Sequence, residues 1–317
     1  MSLKRILADS IARALAFALP PRLMRNKRYF RLWESRGYHV TPVHHYEPIP
    51  DTRTLRDDLW STAFPLDGVD INEKAQLALL SLFSSAYIDE YDTFSWSEPS
   101  SADDYTVINP FFGTVDAEIL YCMIRHFKPR RIIEVGSGYS TRVSAKAVLK
   151  NREEEQQDEC ELMAIEPFPD SSLIRGYPGL SRLVTRRVQD IPPSEFDRLV
   201  ENDILFLDSS HVLATGTDAQ YEYLTILPRL NPGVLVHIHD IFLPMEYPRA
   251  WVMGMHRFWN EQYFLQGFLM RNQAFEILWA GYYMHLTHPN RLASAFSSYT
   301  KRRQEDWPVS FWMRRLK

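Results

Sequence analysis

Cysteine is scarce in this chain of 317 residues: Cys122 and Cys160 are its only two. They lie in unrelated segments and form no C-x-x-C pair, so neither a disulfide framework nor a zinc knuckle is expected. Two buried thiols in a reducing compartment fit better. Long apolar runs are missing as well. No stretch approaches the roughly 20 residues a helix needs to span a bilayer, and Asp9 and Arg13 interrupt the N-terminal run as a secretory signal would not allow. Excess charge of one sign is the third absence. With 36 Lys and Arg against 40 Asp and Glu, the formal net charge is −4, which gives no global attraction to nucleic acid, and no nucleic-acid partner is expected. What remains, 45% hydrophobic and 24% charged residues, is ordinary for a globular protein of the cytoplasm. The length suits about two domains, or one large domain with an accessory segment.

The stretch that organises the rest is Arg131 to Thr141, R-I-I-E-V-G-S-G-Y-S-T. Its first five residues have the β-branched composition of a buried parallel strand. Gly136-Ser137-Gly138 then turns the chain, and Ser140 or Thr141 is placed to cap a helix beginning near Arg142. Strand, glycine turn and helix N-terminus together make a site for a nucleotide-like ligand. Gly136 and Gly138 let the backbone come close to it where a Cβ would not. A nicotinamide-binding unit requires G-x-G-x-x-G, and here Thr141 stands where the third glycine belongs.

Residues 1–33 are basic and amphipathic, with Leu3, Leu7, Ile11, Leu15 and Ala18 at helical spacing and Lys4, Arg5 and Arg13 among them. Such a helix suits an anionic membrane surface, making the protein peripheral to a membrane. The same face equally suits packing on the domain or on a second copy in a homo-oligomer. Residues 41–54, with Pro42, Pro48 and Pro50, form a linker in which His44-His45 is read as an ordinary loop pair. Asp70 with Glu73 predicts a capping box for a helix running to about Tyr87. A polar loop through Ser100-Ser101 and Asp103-Asp104 ends this region, which divides the chain into a helical or irregular accessory part, 1–105, and a main domain, 106–317.

Past that boundary strands alternate with helices. After a helix at 115–127 and the strand at 131–135 come Leu162–Glu166, a third strand holding Val184 and Val188 and ending at Gln189-Asp190, then Ile204–Asp208 and Val234–Asp240. The acidic run 151–159 is read as a solvated loop or helix end. This pattern means α/β, a doubly wound Rossmann-like sheet, mostly parallel. Ligands of such sheets sit outside the carboxyl ends of the strands, where Glu134, Glu166, Asp190, Asp208 and Asp240 fall. Glu166 is placed to accept two hydrogen bonds from a ribose diol, and Asp190 either meets an adenine amino group or ends a turn. Tyr139 and Phe168 serve as adenine neighbours or as core. His211 and His239 are candidate bases, since an imidazole titrates near neutrality; His237, inside a strand, is read as a core residue.

The E-x-G-x-G of Glu134, Gly136 and Gly138, with Ser140 at that motif's usual third glycine, resembles motif I of class I S-adenosylmethionine-dependent methyltransferases. Over residues 106–317, I-E-P-F-P at 165–169, L-F-L-D-S-S-H at 205–211 and G-V-L-V-H-I-H-D-I at 233–241 resemble the bacterial group that includes cephalosporin-hydroxylase-like proteins and macrolide-sugar O-methyltransferases. The resemblance implies seven strands with the last antiparallel, supplied by Ser310–Met313 beside a sixth at Phe275–Trp279. It implies cofactor contacts from Glu134, Gly136, Gly138, Ser140, Glu166, Asp190 and Asp208, and a divalent cation such as Mg2+ between Asp208 and Asp240. Where metal-binding relatives often carry an acid, this chain has Ser210. His211 is favoured over His239 as base on the same match. The activity implied is methyl transfer to a hydroxyl of a small molecule or glycan. The alternatives are an S-adenosylmethionine-binding protein without catalysis, a nicotinamide-dependent oxidoreductase, and an RNA methyltransferase using Arg302-Arg303, Arg314-Arg315 and Lys317. Aromatics at 244–251 and 259–269 line the acceptor pocket or complete the core.

Overall fold

The structure is a computed structural model that describes residues 3–18, 20–24, 26–97, 104–155, 160–302 and 306–317. The loop at 98–103, the end of the acidic run at 156–159, Arg25 and Arg303 lie outside the described residues. The chain divides into two compact units, Met1–Leu59 and Trp60–Lys317.

In the first unit, α1 (Leu3–Ala18) is the amphipathic helix that the spacing predicts, with Leu7, Ile11 and Leu15 exposed. The imidazoles of His44 and His45 stand 4.1 Å apart, and His44 accepts the Tyr46 N–H. Among the described residues, no helix is long and apolar enough to cross a membrane.

The second unit is built on seven strands: β1 (Arg131–Val135), β2 (Glu161–Ile165), β3 (Arg182–Val184), β4 (Ile204–Leu207), β5 (Leu235–Ile238), β6 (Phe275–Ala280) and β7 (Phe311–Arg315). Their order is β3-β2-β1-β4-β5-β7-β6. Strands β1 to β5 run parallel, and β7 lies antiparallel between β5 and β6. Because side chains alternate along a strand, the two faces collect different residues. Ile132, Leu162, Ile204, Phe206 and Leu235 enter one core, and Ile133, Met163, Leu205, Leu207 and Val236 the other. Both faces are therefore buried, as the near-continuous apolar runs require.

Helices α2 (Glu73–Tyr91), α3 (Asp116–Phe127) and α4 (Tyr139–Glu155) contribute to the first core; α5 (Glu261–Leu269) seals the second with Leu265 and Leu269. Helix α2 lies inside the sheet-bearing unit, where the Tyr91 hydroxyl donates to the Ala295 carbonyl at 2.8 Å.

Three local expectations are corrected. The capping box of Asp70 and Glu73 does not form, because Asn72 takes the N-cap place at φ 53° and Asp70 accepts the Asn72 N–H instead. The helix after β1 begins at Tyr139 rather than near Arg142. The third strand stops at Val184, and Val188–Asp190 is a 3-10 turn, since the chain leaves the sheet edge after three paired residues.

Candidate active site

Chain order reverses between β1 and its neighbours β2 and β4, which opens a crevice at their carboxyl ends. There the Asp208 N–H donates to the Val135 carbonyl at 2.9 Å, drawing the β1 and β4 exits together. Gly136, at φ +79°, sits so close that a Cβ would stand 1.8 Å from the Asp208 carbonyl oxygen. Its primary task is to let two strand ends cross. At Gly138 a Cβ would meet nothing within 4 Å, so the space beside the turn is open.

A cavity of about 330 Å³ follows these strand ends, lined by Gly136, Glu166, Phe168, Gln189, Asp208 and Ser209 among others. Glu166 bridges the two loops, accepting the Ser137 N–H at 3.2 Å and the Phe168 N–H at 2.7 Å. Each carboxylate oxygen has a second lone pair left for a ligand. Phe168 is exposed at the cleft and is not part of the core. Glu134 is fully buried, and desolvation pushes its carboxyl up to about 8 despite the Ser140 hydroxyl that donates to Oε1. Its Oε2 has no hydrogen-bond partner among the described residues. Ser140 is thus tied to Glu134, and Thr141 accepts the Gly138 N–H at 2.9 Å. Asp190 does not line the cleft; it is exposed and pairs with Arg187 at 3.1 Å, while its neighbour Gln189 faces in. Tyr139 packs against Phe111 and under the Arg142 guanidinium.

A second cavity, about 390 Å³, shares Asp208, Ser209 and Ser210 with the first. Asp116, His211, His239 and Asp240 form its buried end, and Phe242, Trp251, Trp259, Trp307 and Arg257 surround the rest. Tyr247 belongs to the core beside it, packed with Phe242 and Val309. His211 and Asp240 both hold left-handed backbone, φ +59° and +56°, a strained state that persists where packing over-determines it. The main-chain carbonyl of His211 accepts the N–H groups of Asn260 and Glu261, which docks α5 onto this turn.

Docking α5 there places Glu261 against the imidazole. His211 Nδ1 lies 2.9 Å from Glu261 Oε2, while Nε2 faces Asp208 at 3.4 Å and Asp240 at 3.5 Å. Ligand atoms of Asp208, His211 and Asp240 lie within 4.8 Å of one another, a grouping able to hold a metal ion. Ser210 is no donor to this cluster, because Asp218 engages both its N–H and its hydroxyl; His211 takes the third place. Burial alone would lower the His211 pKa, but hydrogen bonds to Asp208 and Glu261 and the charge of Asp240 raise it well above the usual imidazole range. Burial works upward on Asp208 too, and the neighbouring imidazoles hold it below its ordinary value. Asp240 stays raised, with burial dominant. His239 is desolvated, yet Asp208, Asp240 and Asp116 raise it; its Nδ1 lacks a partner among the described residues. Below the turn, Ser209 donates to Glu222 at 3.0 Å, a carboxyl that burial pushes well above its usual range. His237 lies in the strand behind His239, outside both cavities, stacked on Phe206 at 3.8 Å with Nε2 against the Ser310 hydroxyl.

The structure therefore brings together Gly136, Glu166, Asp208, His211, His239 and Asp240 along the two cavities, keeps Glu134 and Ser140 buried behind the loop, and leaves Gly138 and Asp190 outside both linings. Sequence reasoning passed over Glu261, Glu222 and Asp116 as site residues. An acid opening the helix three residues past an aromatic was the available signal for Glu261; nothing local marks Glu222.

Residues 133–241 match the family model described as a methyltransferase domain. The chain is also 32% identical over 170 residues to an uncharacterized protein of Archaeoglobus fulgidus, an alignment covering 51% of this chain and 75% of that relative.

Proposed function

We propose that this chain, whose residues 133–241 match the model of a methyltransferase domain, transfers a methyl group from S-adenosylmethionine to a hydroxyl of a small-molecule or glycan acceptor. One observation carries the reading: a cleft along the ends of β1, β2 and β4 meets a second pocket at Asp208–Ser210, so a cofactor and an acceptor held in them converge on one point. The donor groups fit the cofactor. Glu166 has free lone pairs for a ribose diol, and no atom crowds the turn at Gly138. When bound, S-adenosylmethionine supplies a methyl group activated by its sulfonium. An in-line displacement then asks the protein for alignment and for removal of the hydroxyl proton.

His239 serves as the base in this reading, because Nδ1 or Nε2 can turn to the pocket, whereas both His211 nitrogens are committed to carboxylates. Asp208, His211 and Asp240 suit a divalent cation, which would act as a Lewis acid on the acceptor oxygen. One imidazole among two carboxylates favours Mn2+ at least as well as Mg2+. Glu261 fixes the His211 tautomer so that Nε2 points at that position, the second-sphere arrangement common to histidine ligands.

Calorimetric titration with S-adenosylmethionine and S-adenosylhomocysteine, with NAD as control, tests the cofactor. Both sulfur compounds are expected to bind and NAD is not, since Thr141 occupies the place of the glycine that NAD sites require. Binding of NAD alone would reverse the assignment.

A further inference from the structure

Charges at the buried end of the acceptor pocket are matched to one another. His211 stands among Asp208, Asp240 and Glu261, and Asp116 is committed to the N–H groups of Val309 and Ser310. Arg257 differs. It lines the same pocket from an exposed position, and among the described residues its guanidinium makes ring contacts and no ion pair. Its Cζ lies 5.0 Å from the centroid of Trp251 and 5.0 Å from that of Trp259. Its own N–H donates to the Trp251 carbonyl at 3.0 Å, which folds the chain back so that the guanidinium meets both rings.

Two indoles hold such a group in place and shed part of its water, yet they use none of its five N–H donors. A planar fork, always charged, pre-oriented and without a carboxylate, is the arrangement that recognises a carboxylate or phosphate bidentately. The charge is near the reacting end, since it bears on the Asp240 carboxyl. Around it Trp251, Trp259, Trp307 and Phe242 give an aromatic wall, with Trp251 and Trp259 edge to face at 5.2 Å. Such a wall receives the C–H face of a sugar ring, and the carboxylates beyond it receive hydroxyls.

We propose that Arg257 selects an acidic acceptor: a hydroxylated saccharide whose carboxylate or phosphate binds the guanidinium while its ring lies on the indoles. This rests on the second pocket being the acceptor side of the proposed methyl transfer. The test is saturation-transfer NMR on the full-length protein with S-adenosylhomocysteine present, at physiological ionic strength. The probes are D-glucuronate and D-glucose 6-phosphate, each compared with D-glucose. At least one acid should bind about tenfold more tightly than glucose, and Arg257→Gln should abolish that preference. Preference for glucuronate alone assigns a carboxylate, and preference for the phosphate alone a phosphate. Equal transfer to all three sugars, transfer to none, or an acid preference unaltered in Arg257→Gln overturns the inference. Arg257→Gln is exposed and outside the cofactor cleft, so its unfolding temperature and S-adenosylhomocysteine affinity should match the parent. Absence of any acid preference in the parent protein, while it still binds S-adenosylhomocysteine, overturns the inference and leaves the cofactor reading standing.

Discussion

His211 and Glu261 meet through a single contact, Nδ1 to Oε2 at 2.9 Å, across 50 residues of chain. That contact decides what the rest of the imidazole does. With Nδ1 donating to the carboxylate, Nε2 is turned toward Asp208 and Asp240, and four side chains from the β4 exit, the β5 exit and α5 become one cluster.

Glu261→Gln keeps the shape of that side chain and removes its charge. Mn2+ affinity, measured by calorimetry, and the turnover number are expected to fall roughly 10- to 100-fold, with S-adenosylhomocysteine affinity unchanged. Undiminished Mn2+ binding would remove Glu261 from the orienting role.

Glu166 and Asp190 separate by the same cofactor titration. Glu166→Ala removes a carboxylate that ties both cleft loops, and affinity should drop by about 1.5–3 kcal/mol. Asp190→Ala breaks only an exposed, solvent-screened pair with Arg187 and should leave affinity as it is. The reverse ranking would move the ribose away from Glu166.

The two loop glycines should fail differently. Gly136→Ala drives a Cβ into the Asp208 carbonyl and is expected to cost roughly 3 kcal/mol or more of stability, seen in denaturant unfolding. Gly138→Ala meets open space and should fold normally, yet bind the cofactor more weakly. If both variants lose stability alike, the open space above Gly138 is not a ligand's.

Stability should decline as pH rises from 5 to 8. Burial pushes the Asp116 carboxyl up to about 6 and the Glu118 carboxyl up to about 7, so the folded chain keeps protons that the unfolded chain has released. Their contribution is full below the unfolded values and is lost as pH passes through the folded ones. His237 acts in the opposite sense, its pKa being held well below the usual range by burial. Thermal unfolding of Glu118→Gln against the parent isolates the carboxyl: the variant's slope with pH should be shallower, and an identical slope would contradict the assignment.

Helix α1 carries exposed Leu7, Ile11 and Leu15 beside basic residues. If this face rests on an anionic membrane, Leu7→Asp in the full chain should reduce co-sedimentation with phosphatidylserine vesicles several-fold. Equal sedimentation of both proteins would leave the helix to a protein partner.

Much of the sheet was legible because strands announce themselves locally. The runs at 131–135 and 162–166 read as buried strands from composition alone, and the antiparallel last strand, placed at Ser310–Met313 on the family resemblance, forms at Phe311–Arg315. Val188 misled, since a lone valine after a strand carries the same letter whether the chain stays in the sheet or leaves it. The capping box at Asp70 misled for a related reason: the spacing was correct, but Asn72 adopted a left-handed backbone and moved the helix start.

The carboxyl ends of β1, β2, β4 and β5 were in the sequence, together with the glycine turn and the acids that follow each strand, because those depend on residues a few positions apart. Only the tertiary structure decided which of these acids share a cavity. Asp190 is turned out to Arg187, Ser140 is spent on Glu134, and Glu261 arrives from α5 to hold His211. None of these outcomes follows from local pattern: each is set by how separate elements pack, and packing depends on contacts between residues far apart in the chain.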